Sequence, residues 1–354
     1  LTGGLDSRIL LAAVPRERRP DLRCLTLAVP GSPDVELAAR LASRYSMSHD
    51  VVPLTAVGEL TPAEAQRAVL EAGRLLDAGT DPVALAVLRA VEARTGASAR
   101  LSGLGGEVVR GFYYVPAPLR GLTRTGRVER LARWRLFPNE SVPDSVLHPR
   151  LRERRRERAV HQLQEIFATY GPSWNDATDR FYLEQRMQRW AGLLATVTCT
   201  ERSVVNPMLD PRFLAIGASV PPAWKANAQF LSRILVALDP ALAEIPLDGR
   251  PAPMVYARPG ARGRATFAAL TARKVVGKVR QRLSSTGRAP AGGATLGQRL
   301  VASWIADPDV LVGVRSLDVV DPLWLDDLLR GGDFSESAVS LVATLQVAAE
   351  VATA

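Results

Sequence analysis

Leu1-Thr2-Gly3-Gly4-Leu5-Asp6-Ser7-Arg8 is the stretch whose reading decides the fold. The paired glycines remove the side chains that would block an approaching phosphate. Backbone N–H groups and the positive end of the next helix, predicted over Ser7 to Val14, are then free to receive it. Thr2 and Ser7 add hydroxyl donors. Asp6 carries the same sign of charge as a polyphosphate, so an aspartate in an anion cradle calls for a magnesium ion between the two. A plain tight turn would explain neither Asp6 nor the flanking hydroxyls. Such a turn is normally held between a buried strand and its helix. Here the sequence opens on the turn, without Met, and the strand before it is expected to be missing or reduced to Leu1 and Thr2, as in a fragment of a longer product.

Outward from this turn, strands and helices alternate. Arg23 to Val29 is a short apolar run closed by Pro30-Gly31-Ser32-Pro33, which predicts a strand and a turn. Asp34 to Tyr45 carries Val35, Leu37, Ala38, Leu41 and Ala42 at helical spacing, with Asp34 where an N-cap belongs. His49 to Leu54 reads as a strand, Pro62 to Leu76 and Pro82 to Arg94 as helices, and Arg100-Leu101-Ser102 leads into a second glycine turn, Gly103 to Gly106. This rhythm predicts an α/β fold, a parallel doubly wound sheet with its first strand truncated, binding ligands off the carboxyl ends of its strands. Beyond Val128 long helices dominate, including Pro149 to Tyr170 and Asp179 to Thr196. Ser284 to Ala294 reads as a flexible connection and Leu296 to Ala354 as helical. The expected domains are 1–260, binding the ligand, and a helical extension over 261–354.

With 354 residues, 47% hydrophobic and 23% charged, the chain can bury a sizeable core and is not a disordered protein. Its two cysteines, Cys24 and Cys199, suit neither a disulfide framework nor a zinc cluster, and a reducing cytoplasm is expected. Cys199 reads as a packed core thiol. No apolar run is long enough to span a membrane. The net charge of +9 is carried largely by arginine. Its densest run, Arg152 to Arg158, interleaves glutamates at surface-pair spacing and has no aromatics for stacking, so a solvated helix face is expected rather than a nucleic-acid patch. His148 and His161 lie outside the glycine turns and read as surface or helix-face residues.

The opening turn resembles the pyrophosphate loop Ser-Gly-Gly-x-Asp-Ser of enzymes that form adenylates from ATP, with Thr2 in place of the serine. Gly31-Ser32-Pro33-Asp34 with Ala38-Ala39 and His49, then Leu101-Ser102-Gly103-Leu104-Gly105-Gly106-Glu107 with Gly111 and Tyr113, then Asn206-Pro207-Met208-Leu209-Asp210 with Val220-Pro221-Pro222 and Lys225, resemble segments of the asparagine synthetase family in the family's order. The likeness covers Leu1 to Pro253. It implies that Thr2, Gly3, Gly4, Asp6 and Ser7 hold the pyrophosphate of ATP, that Leu1 and Leu27 border the nucleoside, and that Ser102 and Gly103 close over it. It further implies Asp6 and Glu107 as magnesium ligands, and His49 as an orienting rather than a reacting group. The implied cofactors are ATP and Mg2+. The implied reaction adenylates a carboxylate and passes it to ammonia or an amine.

Three departures stand out. Leu104 occupies the place of a glutamate that serves amide formation in the family. The family's transition-state lysine has only Arg250 as a cationic counterpart, and the usual Glu-x-Arg pair is replaced by adjacent Glu201 and Arg202. The glutaminase domain that precedes this one in the family is expected to be missing. Three readings follow: an asparagine-synthetase-type ligase acting on a small-molecule carboxylate; a specialised amide former such as a lasso-peptide cyclase or beta-lactam synthetase; or a nucleotide-binding pseudoenzyme. Fluorescence anisotropy over a salt series should show only weak nucleic-acid binding that disappears as salt rises. Tight, sequence-selective binding in high salt would point instead to a tRNA-modifying enzyme.

Overall fold

A computed structural model describes residues 1–28, 33–53, 58–114, 122–137, 142–257, 260, 269 and 292–353. Pro30, Gly31 and Ser32 of the expected turn lie outside these residues, as do Val29 and Leu54 at the ends of the expected strands and 284–291 of the expected connection, whose last residues open the helix Gly292–Ala306. Among the described residues the fold is mixed α/β and mostly helical, with small parallel sheets. Strand β1 (Arg23–Ala28) pairs in parallel with β2 (Ser48–Pro53), in the register Cys24↔His49 and Leu27↔Val52. Helix α1 (Leu5–Ala13) precedes β1, and α2 (Asp34–Arg44) joins the two strands. The apolar spacing of α2 buries Ala38, Leu41 and Ala42 on the side that packs against both strands. The polar residues between them face outward.

Strand β3 (Ala99–Leu101) lies beside β4 (Ser203–Val205). The Ser203 N–H donates to Ser98 O and the Ser102 N–H to Val205 O, so the bonding advances in the same direction along both strands and the pair is parallel. Where the sequence predicts one doubly wound sheet, the described residues form two separate parallel pairs, which do not by themselves make such a sheet.

The chain forms two compact units, each assembled from three segments. The first comprises 1–53, 101–112 and 205–290, and the second 54–100, 113–204 and 291–354. In the first unit, Leu5, Ile9 and Leu10 of α1 join Leu231 and Leu235 of the helix Gln229–Leu238 and Leu242 beyond it in one core. Under this core lies Asp239, whose carboxylate is fully buried. It accepts from Arg19 Nη1 at 2.6 Å, Arg16 Nη2 at 3.0 Å, Tyr45 Oη at 2.9 Å and the N–H of Ala241 and Leu242. The Arg19 guanidinium also sits 4.5 Å above the Tyr45 ring centroid.

In the second unit, helices α3 (Pro62–Leu75) and α4 (Pro82–Ala93) pack with Gly292–Ala306 and Glu336–Thr353. A reciprocal Thr61–Glu64 capping box opens α3, and the Asp81 side chain caps α4. The indole of the fully buried Trp304 donates to Gln346 Oε1 at 3.1 Å. The helix expected from Pro149 to Tyr170 breaks at Arg154, whose φ is +56°, into Pro149–Arg152 and Arg155–Ala168. The helix expected from Asp179 runs instead from Trp174 to Glu201, with a π-helical stretch over Tyr182–Gly192.

Two surface expectations are corrected here. Arg154 and Glu157 form the anticipated exposed pair, but Arg152 binds Asp321 and Leu147 O, and Arg155 binds Asp144 and Val142 O, so part of the arginine run fastens neighbouring loops. Cys199 is exposed, because its helix buries Ala195, Val197 and Thr198 instead. Among the described residues no helix is long and apolar enough to cross a membrane.

Burial alone would raise the Asp239 pKa. Hydrogen bonds from Arg19, Tyr45 and the Leu242 N–H, with the charge of Arg16, outweigh it and hold the group at about 2. A depressed carboxylate adds stability above its unfolded pKa and loses it as the pH falls toward the folded one. Asp239→Ala, which strands Arg19 as a buried charge, should therefore cost about 3–5 kcal/mol at neutral pH, read from the urea midpoint. The deficit should shrink as the pH approaches 2. A deficit below 1 kcal/mol at pH 7 would contradict the assignment.

Candidate active site

The site begins where α1 begins. Gly4 is extended, and no side chain caps the helix, so the first N–H groups of α1 are left for another acceptor. Thr2 and Ser7 cross the mouth of the turn: their hydroxyls lie 3.1 Å apart, the Thr2 N–H donates to Ser7 Oγ at 3.3 Å and the Gly4 N–H to Thr2 Oγ1 at 3.2 Å. The Gly3 N–H donates to Asp34 Oδ1 at 2.7 Å. This corrects the reading of Asp34 as a helix cap. Pro33 flanks α2, Asp34 is its first residue, and the carboxylate reaches back to the glycine turn. A side chain at Gly3 would collide with Leu37, its Cβ falling 2.5 Å from Leu37 Cδ1.

Leu1 runs beside β1. Its N bonds to Leu25 O, and its carbonyl accepts from Thr26 Oγ1 at 2.7 Å. The same hydroxyl is 2.9 Å from Nε2 of His49 on β2. Leu27, half-buried, lies further along β1.

The second glycine turn closes on the first. Ser102 Oγ accepts the Leu104 N–H at 3.3 Å, and Gly105 turns the chain with a φ of +105° that favours glycine. A Cβ on Gly103 would lie 3.1 Å from Asp6 Cβ, and one on Gly106 would overlap the Asp6 carboxyl at 2.4 Å. The turns therefore interlock around Asp6. The chain then tightens into a 3₁₀ turn, Gly106–Val109, whose i,i+3 geometry puts Glu107 and Arg110 side by side. Arg110 Nη2 donates to Asp6 Oδ2 at 2.6 Å and to Glu107 Oε1 at 2.8 Å.

Sequence reading missed two arginines. Arg8, wholly buried, donates to Gly3 O at 3.1 Å, to Pro246 O at 2.6 Å and to Ile245 O. It thereby ties the first turn to the 247–250 bend, in which the Arg250 N–H bonds to Leu247 O and Gly249 has a φ of +55°. The charge of Arg250 is thus carried within reach of Asp6. Arg110 stands inside the second motif. Its i,i+3 spacing from Glu107 in a turn opened by two glycines was the available signal. Thr2, Gly3, Gly4, Asp6, Ser7, Gly103 and Glu107 converge with these arginines, whereas Leu104 contributes no polar atom from its half-buried side chain.

Burial is the largest influence on Asp6 and raises its pKa, as does Glu107. Arg110 and Arg250 pull it down, and the balance leaves it raised to about 6. Asp6 Oδ1 is buried without a partner. No group of three or more His, Cys, Asp or Glu residues suited to a metal occurs among the described residues. Magnesium, however, is commonly held by one or two carboxylates together with substrate phosphates. An unsatisfied buried oxygen on Asp6 beside Glu107 fits that donor set.

Interlocked glycine turns at an uncapped helix start, beside a parallel strand pair, define an α/β domain whose first helix leaves backbone donors of the kind that receive phosphate. Residues 1–238 match the family described as asparagine synthase, and the chain belongs to that family. Its fold is of the PP-loop kind and its members are ATP-dependent amide ligases. A search of curated proteins finds no match.

The raised Asp6 pKa has a sign that can be tested. Folding favours the protonated group, so the stability it confers is complete below 3.8 and is lost as pH rises through about 6. In EDTA, Asp6→Asn should stabilise the protein at pH 8 by up to about 3 kcal/mol in chemical denaturation, with the gain vanishing near pH 4. An equal gain at both pH values would show that ionisation is not its source.

Proposed function

We propose that the chain adenylates a carboxylate with ATP and passes the acyl group to an amine, forming an amide. The observation that carries this reading is the Asp6 carboxylate, locked between two glycine turns with one oxygen buried and unsatisfied. The uncapped start of α1 and the hydroxyls of Thr2 and Ser7 bind the β- and γ-phosphates, and Leu1, Leu27, Ser102 and Gly103 border the nucleoside. Asp6 and Glu107 would hold magnesium, which when bound neutralises phosphate charge as the reaction proceeds. The substrate carboxylate oxygen attacks the α-phosphorus, the bond to the leaving pyrophosphate breaks, and Arg250 stabilises the charge that develops there. The amine nitrogen then attacks the acyl carbon and AMP departs. That nitrogen must shed a proton, which Leu104 cannot take, so the proton passes to water as AMP leaves. The apolar side chain at this position favours a specialised amide former, whose substrate supplies its own amine, over synthesis of asparagine from ammonia. The parallel sheet is proposed to be doubly wound as in the PP-loop fold.

Labelled pyrophosphate should exchange into ATP in the presence of the cognate carboxylate, and Asp6→Ala should abolish the exchange. Aspartate and ammonia should give little asparagine, and Leu104→Glu should raise that yield by roughly a hundredfold to ten-thousandfold if the rest of the site is competent. Rapid asparagine synthesis by the unaltered protein would overturn the role given to Leu104. Absence of exchange with every carboxylate tried would leave a nucleotide-binding pseudoenzyme.

A further inference from the structure

The contacts of Arg110 point beyond this reading, although they rest on its assignment of Asp6 and Glu107. One nitrogen, Nη2, bridges both carboxylates at 2.6 and 2.8 Å. Magnesium held by the same two oxygens would need the space that Nη2 fills. The two cations therefore exclude one another. A permanent structural clamp would be expected to use the fork of the guanidinium, two parallel N–H donors on one carboxylate. Here Nη2 makes both bonds, and Nε is buried without a partner. The hold is incomplete, which suits a group that can be displaced.

We propose that Arg110 is a competing cation built into the site: it neutralises Asp6 and Glu107 until ATP arrives, and a divalent ion can bridge them only when the guanidinium moves aside. ATP supplies what the exchange needs on both sides. Its phosphate oxygens complete the sphere of the metal, and the same polyanion offers the displaced guanidinium a new acceptor. Metal binding is thereby made dependent on nucleotide, and by linkage nucleotide binding depends on metal. The local chain explains why this residue can do it. The 3₁₀ turn fixes Arg110 over Glu107, while the absence of a side chain at Gly106 lets that pair approach Asp6.

Mn2+ binding, followed through the electron paramagnetic resonance signal of the free ion, tests the proposal on the full chain with and without ATP. Without ATP, Arg110→Ala and Arg110→Gln should each bind Mn2+ at least about tenfold more tightly than the unaltered protein, within the usual range of coupling between sites. Arg110→Lys should fall between, since an ammonium retains the charge but not the geometry. ATP should tighten Mn2+ binding strongly in the unaltered protein and much less in Arg110→Ala. Adding Asp6→Asn to Arg110→Ala should erase the gained site. Circular dichroism on each variant guards against misfolding, and Arg110→Gln serves if Arg110→Ala does not fold. Unchanged or weaker ATP-free Mn2+ binding in the folded variants overturns the proposal. A gained, Asp6-dependent Mn2+ site in a protein that shows no pyrophosphate exchange would uphold the competition while removing the ligase reading.

Discussion

Asp6 is held where no other side chain is tolerated opposite it. The second glycine turn comes so close that a single methyl group at Gly106 would overlap the carboxyl, and one at Gly103 would press on its Cβ. Everything else in the site follows from that approach. Because the turns meet, Glu107 and Arg110 reach a residue more than a hundred positions earlier in the chain. Because Asp6 is buried by them, its charge is costly, and the surrounding cations become more influential than they would be in water. The site stores unfavourable electrostatics that a correctly placed ligand can relieve, which is the usual sign of a binding centre.

Arg8 extends this constraint to the rest of the first unit. A buried guanidinium normally needs a carboxylate partner, but here backbone carbonyls of Gly3, Ile245 and Pro246 share it. Burial lowers its pKa to about 10, so it stays charged under any ordinary condition. The first turn and the bend bearing Arg250 are consequently joined by a group that stays charged at neutral pH. Asp239 plays the converse part at the carboxyl end of α1, where an anion gathers Arg16, Arg19 and Tyr45.

What the sequence made legible was whatever has a local physical cause. The β1, α2, β2 succession could be read because alternating runs and helical spacing are properties of a few consecutive residues. The glycine turns could be read because glycine removes an obstacle that no other residue removes. Helix breaks without glycine or proline were opaque: nothing near Arg154 announces its positive φ. Asp34 was placed at its helix end correctly but given the wrong partner, since Gly3 lies 31 positions away. Cys199 was misjudged because which face of an apolar helix is covered is decided by tertiary packing. Arg110 and Arg8 escaped notice for the same reason. Their partners include residues 104 and 238 positions distant, and a side chain's type does not disclose so remote a neighbour.

The assembly of the first unit from three segments has a consequence for its birth on the ribosome. Helix α1 emerges with Leu5, Ile9 and Leu10 on its surface well before the helix Gln229–Leu238 that covers them, which belongs to the last of the unit's three segments. At about 5–20 residues per second, the interval between residues 53 and 205 lasts roughly 8–30 seconds. During that time an apolar helix and an uncapped amino end wait without their partners. Contacts between segments so far apart in sequence raise contact order, which slows folding. A nascent segment left in that state is a natural client for a chaperone, and the contact between the two glycine turns and the 247–250 bend is among the last features to form.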